Sequence, residues 1–387
     1  MKIGQFSDSF VPIVDGVGRV VYYYCETIAK TGNEVSAIVP LTEMGYRGKY
    51  PFEIIDFYSL DMTRLPYKIG MPITDEHFRT HLAMTDFDIV HLHSPFIAGA
   101  EAIRYAEKHD IPLVGTFHSK FYDDILQTTN SELIASLGTD GIMKTFFNKC
   151  DEVWAVSEAT ADTLRSYGYK KDILVMPNGM ELRTVDPSLK DRAKEHFQLN
   201  DDPLLLFVGQ QNWKKNIRCI LEACSLLRKD GVRFQLALAG QGPHEKEIAK
   251  AIDDLDLREV TTVCGHITDV ELLDGLYDLA SIFVFPSLYD NDPMVVREAA
   301  NAGTPSICVR GSTSADIIEE NVNGLLCEDD PEDLFKVIRN NLSDPEKLQM
   351  IGENARQTIP VSWDVIIQDV LKRYEELIEL HKKKIFY

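Results

Sequence analysis

Short apolar runs alternate with amphipathic helical stretches along the whole chain, and this alternation restricts the fold more than any other feature. The strands predicted in the first half are Lys2–Ser7, Glu34–Val39, Phe52–Phe57, Ile89–His93, Leu113–Thr116, Glu152–Val156 and Ile173–Met176. Those predicted in the second half are Leu204–Val208, Gln235–Ala239, Val260–Cys264, Ile282–Val284, Ser306–Cys308 and Gly324–Leu326. Helices are predicted between them, among them Val17–Thr31, Ile97–His109, Asn216–Lys229, Pro243–Leu255 and Asp269–Leu279. Strands that alternate with helices build parallel sheets, so the sequence predicts an α/β fold.

The two series of strands are separated by a polar segment, which predicts two domains. A chain of 387 residues is long enough for two domains of ordinary size. The predicted boundaries are residues 1–182 together with 364–387 for the first domain, 203–363 for the second, and 183–202 for the linker. The tail from Trp363 to Lys384 has apolar residues at helical spacing and is predicted to be one long helix.

The composition excludes several classes of protein. A hydrophobic fraction of 44% with 26% charged residues is typical of a soluble globular chain. The formal net charge of −21 argues against nucleic-acid binding and allows at most a peripheral contact with an anionic membrane. No apolar run reaches 18 residues, and the first residues do not resemble a signal peptide, so a cytoplasmic location is expected.

Four loops that follow predicted strands have compositions suited to an anion. Gly16 and Gly18 lie in the first of them, after Asp15, where backbone N–H groups and a helix amino end can face a phosphate. The other three loops are Gly209–Asn216, Gly240–Pro243 and Gly311–Ser314. Ordinary tight turns and a solvent-facing Lys214–Lys215 pair explain these segments about as well, so both interpretations stay open.

Acidic and imidazole side chains also lie at predicted strand ends. Asp290 and Glu298 follow the strand Ile282–Val284 and can accept hydrogen bonds from the hydroxyl groups of a sugar or ribose. The alternative is a helix cap and a solvated helix residue. His118 follows another strand and can contact a ligand; the alternative is an ordinary core histidine, but its position at a strand end favours a functional role. His91 and His93 could begin a metal site, but the sequence offers no third ligand, and no metal is expected.

Several short motifs recur in the order and spacing of one enzyme family. In chain order they are Phe6-Ser7-Asp8-Ser9-Phe10-Val11-Pro12, Val90-His91-Leu92-His93-Ser94-Pro95, Gly115-Thr116-Phe117-His118, Val156-Ser157-Glu158, Pro177-Asn178-Gly179, Phe207-Val208-Gly209, Ala239-Gly240-Gln241-Gly242-Pro243, Cys264-Gly265-His266-Ile267 and Phe285-Pro286-Ser287. Together they resemble the retaining glycosyltransferases of family 4, which use nucleotide sugars, and the match covers nearly the whole chain. The resemblance implies the GT-B fold: two Rossmann-like domains facing across a cleft, with the last helix crossing back onto the first domain.

The resemblance also implies roles for particular residues. Lys215 would neutralise the diphosphate, Glu298 would bind the ribose, and Asp290 and His118 would contact the transferred sugar. Further contacts with the nucleotide sugar are implied for Gly16, Gly18, Gln210, Gly242, His266, Ile267, Val295 and Val296. The expected reaction moves a hexose, with glucose and UDP as the expected sugar and nucleotide, to a hydroxyl of a lipid or a glycan. The nucleotide sugar is a co-substrate, and no metal or other cofactor is implied.

Two departures from the family pattern keep alternatives open. Gln210 stands where the family has an arginine, and Asp290 where it has a glutamate. An amide cannot cancel a phosphate charge, although Lys214 or Arg297 could compensate. A non-catalytic subunit that binds a sugar nucleotide or a partner protein is therefore the alternative function, and epimerisation of a sugar nucleotide is a third. The segment Met143–Lys149 is predicted to be either core or a small apolar docking face.

Overall fold

The protein consists of two compact α/β units. A computed structural model describes residues 1–11, 16–40, 49–61, 68–118, 121–184, 186–290 and 292–385. The first unit contains Met1–Gly179 together with Ser362–Tyr387, and the second contains Met180–Val361. Asp15, part of the first predicted anion-binding loop, lies outside the described residues.

The first unit is built on a seven-stranded parallel sheet. The strands of this unit are β1 (Lys2–Phe6), β2 (Glu34–Pro40), β3 (Glu53–Phe57), β4 (Ser59–Asp61), β5 (Lys68–Gly70), β6 (Ile89–Leu92), β7 (Leu113–Phe117), β8 (Glu152–Ala155) and β9 (Ile173–Val175). The sheet order is β3-β2-β1-β6-β7-β8-β9, while β4 and β5 pair separately as an antiparallel hairpin. From β1 the chain adds strands first on one side, as β2 and β3, and then on the other, beginning with β6. The boundary between β1 and β6 is the switch point, and ligands of open α/β sheets bind at such points.

Helices cover the strands of the first sheet. They are α1 (Gly16–Lys30), α2 (Glu76–Ala83), α3 (Ile97–His109), α4 (Phe121–Thr129), α5 (Glu132–Thr145) and α6 (Glu158–Ser166). In α1 the residues Val20, Val21, Tyr24 and Ile28 are buried, as the spacing of apolar residues predicts. Met143 and Phe147 are also buried, so these two apolar side chains of the segment Met143–Lys149 belong to the core, and the alternative of a docking face is wrong for them.

The second unit repeats the arrangement with six parallel strands. Its strands are β10 (Leu204–Val208), β11 (Gln235–Ala239), β12 (Thr261–Gly265), β13 (Ile282–Phe285), β14 (Ser306–Val309) and β15 (Leu325–Cys327). Its helices are α7 (Ser188–His196), α8 (Ile217–Lys229), α9 (Glu245–Asp254), α10 (Val270–Leu279), α11 (Met294–Ala302), α12 (Pro331–Leu342) and α13 (Pro345–Thr358). The sheet order is β12-β11-β10-β13-β14-β15, which is the order of the dinucleotide-binding fold, with its switch point between β10 and β13.

The segment predicted as a linker contains α7, which packs within the second unit. A Cβ atom on Gly275 would lie 2.1 Å from the carbonyl oxygen of Leu189, so α10 approaches α7 closely at this glycine. Arg192 of α7 forms ion pairs with Asp269 and Glu271 at the start of α10, at 2.5 and 2.9 Å. The polar composition of the segment reflects the exposed face of this short helix.

The last helix, α14 (Trp363–Ile385), belongs to the first unit. Tyr374 is fully buried and stacks on Trp154 of β8, with ring centroids 5.5 Å apart. Arg373 donates hydrogen bonds from its guanidinium group to Glu152. Trp363 stacks on Tyr23 of α1 at 5.5 Å. These contacts make α14 part of the first core.

Candidate active site

Lys215 and Asp290, two of the predicted site residues, meet at the switch point of the second sheet. Lys215 follows β10 and Asp290 follows β13, and these strands are neighbours although many residues separate them in the chain. The ammonium group of Lys215 donates a hydrogen bond to Oδ1 of Asp290. Both side chains are largely buried, with 14% and 19% of their surface exposed. The structure therefore brings a cation and a carboxylate together where open α/β sheets bind their ligands.

Hydrogen bonds between the loops hold this pair in place. Asn216 has a left-handed backbone conformation with φ of 58°, and its side-chain amide donates to the carbonyl oxygen of Pro286 at 3.2 Å. Ser287 donates to Oδ2 of Asp290 at 2.6 Å. Thr313, in the loop after β14, donates to the backbone oxygen of Asp290. The loops after β10, β13 and β14 are thereby linked to one another around Asp290.

Glu298 lies in the second turn of α11, the helix that follows the Asp290 loop. Its side chain is buried, and Oε2 accepts a hydrogen bond of 3.1 Å from the hydroxyl group of Tyr277. Arg183 donates a bidentate pair of hydrogen bonds to Asp274. Burial acts to lower the pKa of its guanidinium group, but Asp274 and, more weakly, Glu298 outweigh this effect and raise it. Glu298 is thus a buried acceptor held by a neighbouring side chain, and the solvated-helix interpretation is wrong.

Lys214, and not Arg297, is the additional cation beside Lys215. Arg297 is almost completely buried; its guanidinium donates to Asp292 at 3.0 Å and to the carbonyl oxygen of Ile359 at 3.1 Å. The ammonium groups of Lys214 and Lys215 lie 4.8 and 5.5 Å from the centre of the Tyr289 ring. Since Arg297 is engaged in an internal ion pair, Lys214 is the better placed of the two to offset the missing arginine at Gln210.

The glycine loops after β10 and β11 pack directly against each other. A Cβ atom on Gly242 would lie 2.6 Å from the carbonyl oxygen of Gln211, and one on Gly240 would lie 1.9 Å from that of Gly209. Gln211 donates its backbone N–H to Gln241 at 3.1 Å. Close packing of two backbones is therefore sufficient reason for these glycines, and a contact of Gly242 with a ligand stays a prediction. Gln211 is buried, whereas the side chain of Gln210 is exposed.

Six further residues are predicted to contact the donor, four in the second unit and two in the first. His266 is exposed in the loop after β12, and Ile267 packs against the core of the unit. Val295 and Val296 occupy the first turn of α11, whose amino end favours an anion, and the backbone N–H of Val296 donates to the carbonyl oxygen of Pro293 at 3.1 Å. In the first unit, Gly16 and Gly18 begin α1, where a Cβ atom on Gly18 would lie 3.0 Å from the hydroxyl oxygen of Ser9. A contact with the nucleotide sugar stays a prediction for all six residues.

His118 lies at the carboxyl end of β7 and joins a buried group of histidines in the first unit. Its Nε2 lies 3.1 Å from Nδ1 of His93, and the two rings are stacked. Burial lowers the pKa of His118 to about 4, so the ring is neutral near pH 7. His91 is fully buried between Tyr374 and Thr116. Among the described residues, no group of three or more metal-ligating side chains is present.

Asp8, which received no role in the sequence analysis, lies beyond β1 at the switch point of the first sheet. Its Oδ1 accepts a hydrogen bond of 3.0 Å from the backbone N–H of Ala98, in the first turn of α3. Its Oδ2 is buried and makes no hydrogen bond with any of the described residues. Burial raises the pKa of Asp8 to about 7, against the partly compensating effect of the amide groups of Ala98 and Ile97.

Replacing Asp8 with asparagine should stabilise the protein at neutral pH but not in acid. The raised pKa means that the native state binds more protons than the unfolded state between about pH 4 and pH 7, so ionisation of Asp8 costs stability as the pH rises. The gain in Asp8→Asn should grow over this range and level off above it. At neutral pH we expect Asp8→Asn to raise the free energy of unfolding by on the order of 2 kcal/mol. This is less than the full shift in pKa would give, because the side chain is partly exposed. Urea unfolding of both proteins between pH 4 and 8 measures the difference, and a constant difference would contradict it.

Comparison with known proteins assigns the chain to a family. The profile described as "Glycosyl transferases group 1" matches residues 190–358, and the profile "Glycosyltransferase Family 4" matches residues 14–184. Together they cover most of both units, and the chain belongs to this family of glycosyltransferases. The predicted GT-B fold is confirmed. The protein is a GT-B glycosyltransferase, which transfers a sugar from a nucleotide-sugar donor.

Individual relatives are distant but extend over nearly the full chain. A GDP-mannose-dependent alpha-mannosyltransferase of Corynebacterium glutamicum is 25% identical, with 99% of this chain and 91% of the relative covered. An alpha-monoglucosyldiacylglycerol synthase of Streptococcus pneumoniae is also 25% identical, with 84% and 75% covered. The crystal structure of Anabaena HepE with UDP and glucose has a TM-score of 0.75 at 15% identity, covering 97% of this chain and 99% of that one. At this identity the structural likeness shows the fold alone.

Proposed function

We propose that this glycosyltransferase moves a hexose from a nucleoside diphosphate sugar to an acceptor hydroxyl with retention of configuration. The observation that carries the proposal is the meeting of Lys215 and Asp290 at the switch point between β10 and β13. A diphosphate leaving group develops negative charge as the glycosidic bond breaks, and a buried ammonium group can stabilise it. The carboxylate of Asp290 beside it suits the hydroxyl groups of the transferred sugar.

Most of the predicted site residues take a role in this proposal. Lys215, assisted by Lys214, binds the diphosphate, whose charge also suits the amino end of α11, where Val295 and Val296 lie. Glu298 accepts hydrogen bonds from the ribose, and Asp290 and His118 from the sugar. The nucleotide base meets the backbone at His266 and Ile267. The ammonium group of Lys215 donates a hydrogen bond to Asp290. When the donor binds, the diphosphate must therefore either share this ammonium group with Asp290 or displace the carboxylate from it.

UDP-glucose is the donor that we propose first, with GDP-mannose as the competing candidate. The Streptococcus relative is named for an alpha-glucosyl product and the Corynebacterium relative for GDP-mannose as donor. Both names specify alpha-linked transfer, and both donors carry the sugar in an alpha linkage, which supports retention. The reaction that we propose requires no metal, because Lys215 and Lys214 supply positive charge beside the diphosphate.

A lipid hydroxyl is the acceptor that we propose, with a glycan as the alternative. One relative is named as a diacylglycerol synthase. The structure adds an apolar stripe on α5, where Leu133, Ile134 and Leu137 are 69%, 50% and 63% exposed. Such a stripe can rest on the surface of a bilayer at the inner face of the membrane. No helix among the described residues is long and apolar enough to span a bilayer.

The alternative function is a subunit that binds a sugar nucleotide or a protein without transferring sugar. The neutral Gln210 favours it, because a charged hydrogen bond contributes roughly 1.5–3 kcal/mol to binding a phosphate. Lys214 beside Lys215 argues against it, since the second ammonium group can supply the missing charge. Release of a nucleoside diphosphate only in the presence of an acceptor would decide for the enzyme. Release with an epimerised free sugar would instead reveal an epimerase.

The first experiment is thermal unfolding of the full chain with a panel of UDP-, GDP- and ADP-sugars. A ligand that binds only the native state raises Tm in proportion to the logarithm of its concentration over Kd. A donor identified in this way is then incubated with diacylglycerol vesicles or glycans, and NMR of the product gives its anomeric configuration. No stabilisation by any donor, or an inverted product, would overturn the proposal.

Replacing Glu298 with glutamine should weaken donor binding by roughly 10- to 100-fold, because two hydrogen bonds from the ribose lose a charged acceptor. Glutamine keeps the acceptor for Tyr277, so the local fold should persist. Calorimetric titration with UDP measures Kd. The control is Tyr277→Phe, which removes the hydrogen bond from Tyr277 but keeps the carboxylate of Glu298, and should bind UDP within a few fold of the unchanged protein. Equal affinity in Glu298→Gln would remove the ribose role.

A further inference from the structure

A continuous chain of hydrogen bonds leads from the last helix to His118 inside the first unit. The side-chain amide nitrogen of Gln5, on β1, lies 3.2 Å from the hydroxyl oxygen of Tyr374 on α14. Oε1 of Gln5 lies 2.7 Å from Nε2 of His93, and Nδ1 of His93 lies 3.1 Å from Nε2 of His118. Gln5, His93 and Tyr374 are all at least 98% buried, so water cannot substitute for these partners.

A second branch leaves the same tyrosine. The hydroxyl oxygen of Tyr374 lies 2.5 Å from Nδ1 of His91, and Nε2 of His91 lies 2.6 Å from the hydroxyl oxygen of Thr116. Tyr374 therefore has two neighbours, and its single proton can be donated to only one of them. The direction of that donation determines the direction of every other hydrogen bond in the chain.

The chemistry of the Gln5 amide selects one direction. The side-chain nitrogen of Gln5 faces the hydroxyl oxygen of Tyr374, and an amide –NH₂ group can only donate. Tyr374 therefore accepts from Gln5 and donates its own proton to Nδ1 of His91. The reverse direction would require the amide nitrogen of Gln5 to accept a hydrogen bond, which it cannot do.

This direction determines which nitrogen of each ring carries the proton. Oε1 of Gln5 can only accept, so Nε2 of His93 must donate to it. Burial keeps His93 neutral by lowering its pKa well below the usual value, so Nδ1 of this ring has no proton and accepts from Nε2 of His118. Burial lowers the pKa of His118 as well, so this ring is neutral; because it donates from Nε2, its Nδ1 carries no proton and can only accept hydrogen bonds. A hydroxyl that meets the ring at this atom must donate to it.

We propose that Gln5 and Tyr374 are positioning residues that act through His93 to hold His118 with its proton on Nε2. The effect on catalysis rests on the proposed function, in which His118 contacts the transferred sugar. The position of the proton on His118 depends only on the hydrogen bonds within the first unit. Tyr374 can do this because its ring is fixed against Trp154, which locks the hydroxyl between Gln5 and His91. The last helix thus determines the hydrogen-bonding character of a site residue more than 250 positions away in the sequence.

The test is ¹⁵N NMR of the full chain with labelled histidine, in which the two ring nitrogens distinguish the tautomers. The unchanged protein should show the proton on Nε2 of both His93 and His118. Gln5→Leu removes the acceptor of His93, and a buried N–H without a partner is rarer than an unpaired acceptor. The proton of His93 should therefore move to Nδ1, and that of His118 should move with it. Tyr374→Phe frees Gln5 to rotate and should populate both tautomers.

The matched control is Tyr24→Phe. Tyr24 is buried in the same cluster with its ring 5.3 Å from that of His93, but its hydroxyl makes none of these hydrogen bonds. It should leave both tautomers unchanged, even if Tm falls. A proton on Nδ1 of His118 in the unchanged protein would overturn the proposal. So would unchanged tautomers in both folded variants, Gln5→Leu and Tyr374→Phe, or a shift in Tyr24→Phe equal to theirs.

Kinetics separate this proposal from the proposed function. In Gln5→Leu, kcat should fall roughly tenfold, the loss of one hydrogen bond to the transferred sugar, while the Kd for UDP changes less than twofold. If the unchanged protein transfers no sugar, the proposed function fails while the NMR result still decides the tautomer. If transfer occurs and the tautomer moves without a change in kcat, the positioning role is overturned and the proposed function stands.

Discussion

Replacing Lys215 with methionine is expected to lower kcat by roughly 10²- to 10³-fold, corresponding to about 3–4 kcal/mol of lost transition-state stabilisation. The ammonium group lies at the switch point of the second sheet and is largely buried, so no solvent ion can replace it. Its positive charge matters most when the diphosphate departs, which is why kcat should change more than the affinity for the donor. Initial rates of nucleoside diphosphate release, measured with the donor found by thermal unfolding, give kcat and KM.

Two further variants distinguish charge from structure at this position. Lys215→Arg keeps the charge and the partner Asp290, and should retain more activity than Lys215→Met. Lys214→Met removes the neighbouring ammonium group near the Tyr289 ring and should cost only about tenfold, because Lys214 is more exposed. If Lys215→Met keeps a kcat within a few fold of the unchanged protein, the charge-stabilisation role is wrong. Equal losses in the methionine and arginine variants would point instead to a structural contact.

The meeting of Lys215 and Asp290 was predictable from the sequence because of sheet topology. Each residue follows an apolar run of strand length, and parallel strands present their carboxyl ends at one edge. The strand order adds what the pattern did not predict, namely that β10 and β13 are neighbours on the two sides of a switch point. Strand ends are recognisable because the change from apolar to glycine, proline and polar residues is abrupt there. Most predicted strands therefore agree with the observed bounds to within one or two residues.

The hydrogen-bond chain through Gln5 was beyond prediction for a physical reason. Gln5 and Tyr374 meet only because α14 packs against the first sheet, and no local pattern encodes which side chains a distant helix will contact. A signal did exist in the polar Gln5, His91 and His93 within strands that are otherwise apolar. Buried polar groups require hydrogen-bond partners, so these residues indicate a buried network, but the sequence does not identify the other side chains in it.

The same limit applies to the loop that carries Asp290. The sequence shows its acidity and its proline, but not which carboxylate binds an internal partner. In the structure Asp292 is paired with Arg297, and Asp290 is paired with Lys215. A prediction from spacing alone had to leave both Lys214 and Arg297 as candidates for the missing arginine. Burial of the Arg297 guanidinium separates them, and burial depends on α11 packing against the segment at Ile359.

Replacing Asp292 with alanine is expected to destabilise the second unit by about 3–5 kcal/mol. Asp292 and Arg297 expose only 6% and 5% of their side chains, with a distance of 3.0 Å between them. Removing the carboxylate leaves a buried guanidinium with the carbonyl oxygen of Ile359 but without a counter-ion. The cost is therefore mainly that of an uncompensated charge and exceeds what the intact pair contributes. Hydrogen exchange of peptides covering residues 282–302 measures the opening free energy of this region.

The double variant Asp292→Ala/Arg297→Met is the matched control. It removes both charges, so it should be more stable than Asp292→Ala alone, in spite of carrying one more substitution. The prediction is wrong if Asp292→Ala lowers the free energy of unfolding by less than about 1 kcal/mol, or if the double variant is less stable than Asp292→Ala. Either result would show that water or another anion solvates the Arg297 guanidinium. Since Arg297 precedes Glu298 and Asp292 follows the loop of Asp290, opening of this pair should also weaken UDP binding. Parallel loss of stability and of affinity in Asp292→Ala, with both partly restored in the double variant, is the result that ties this ion pair to the donor site.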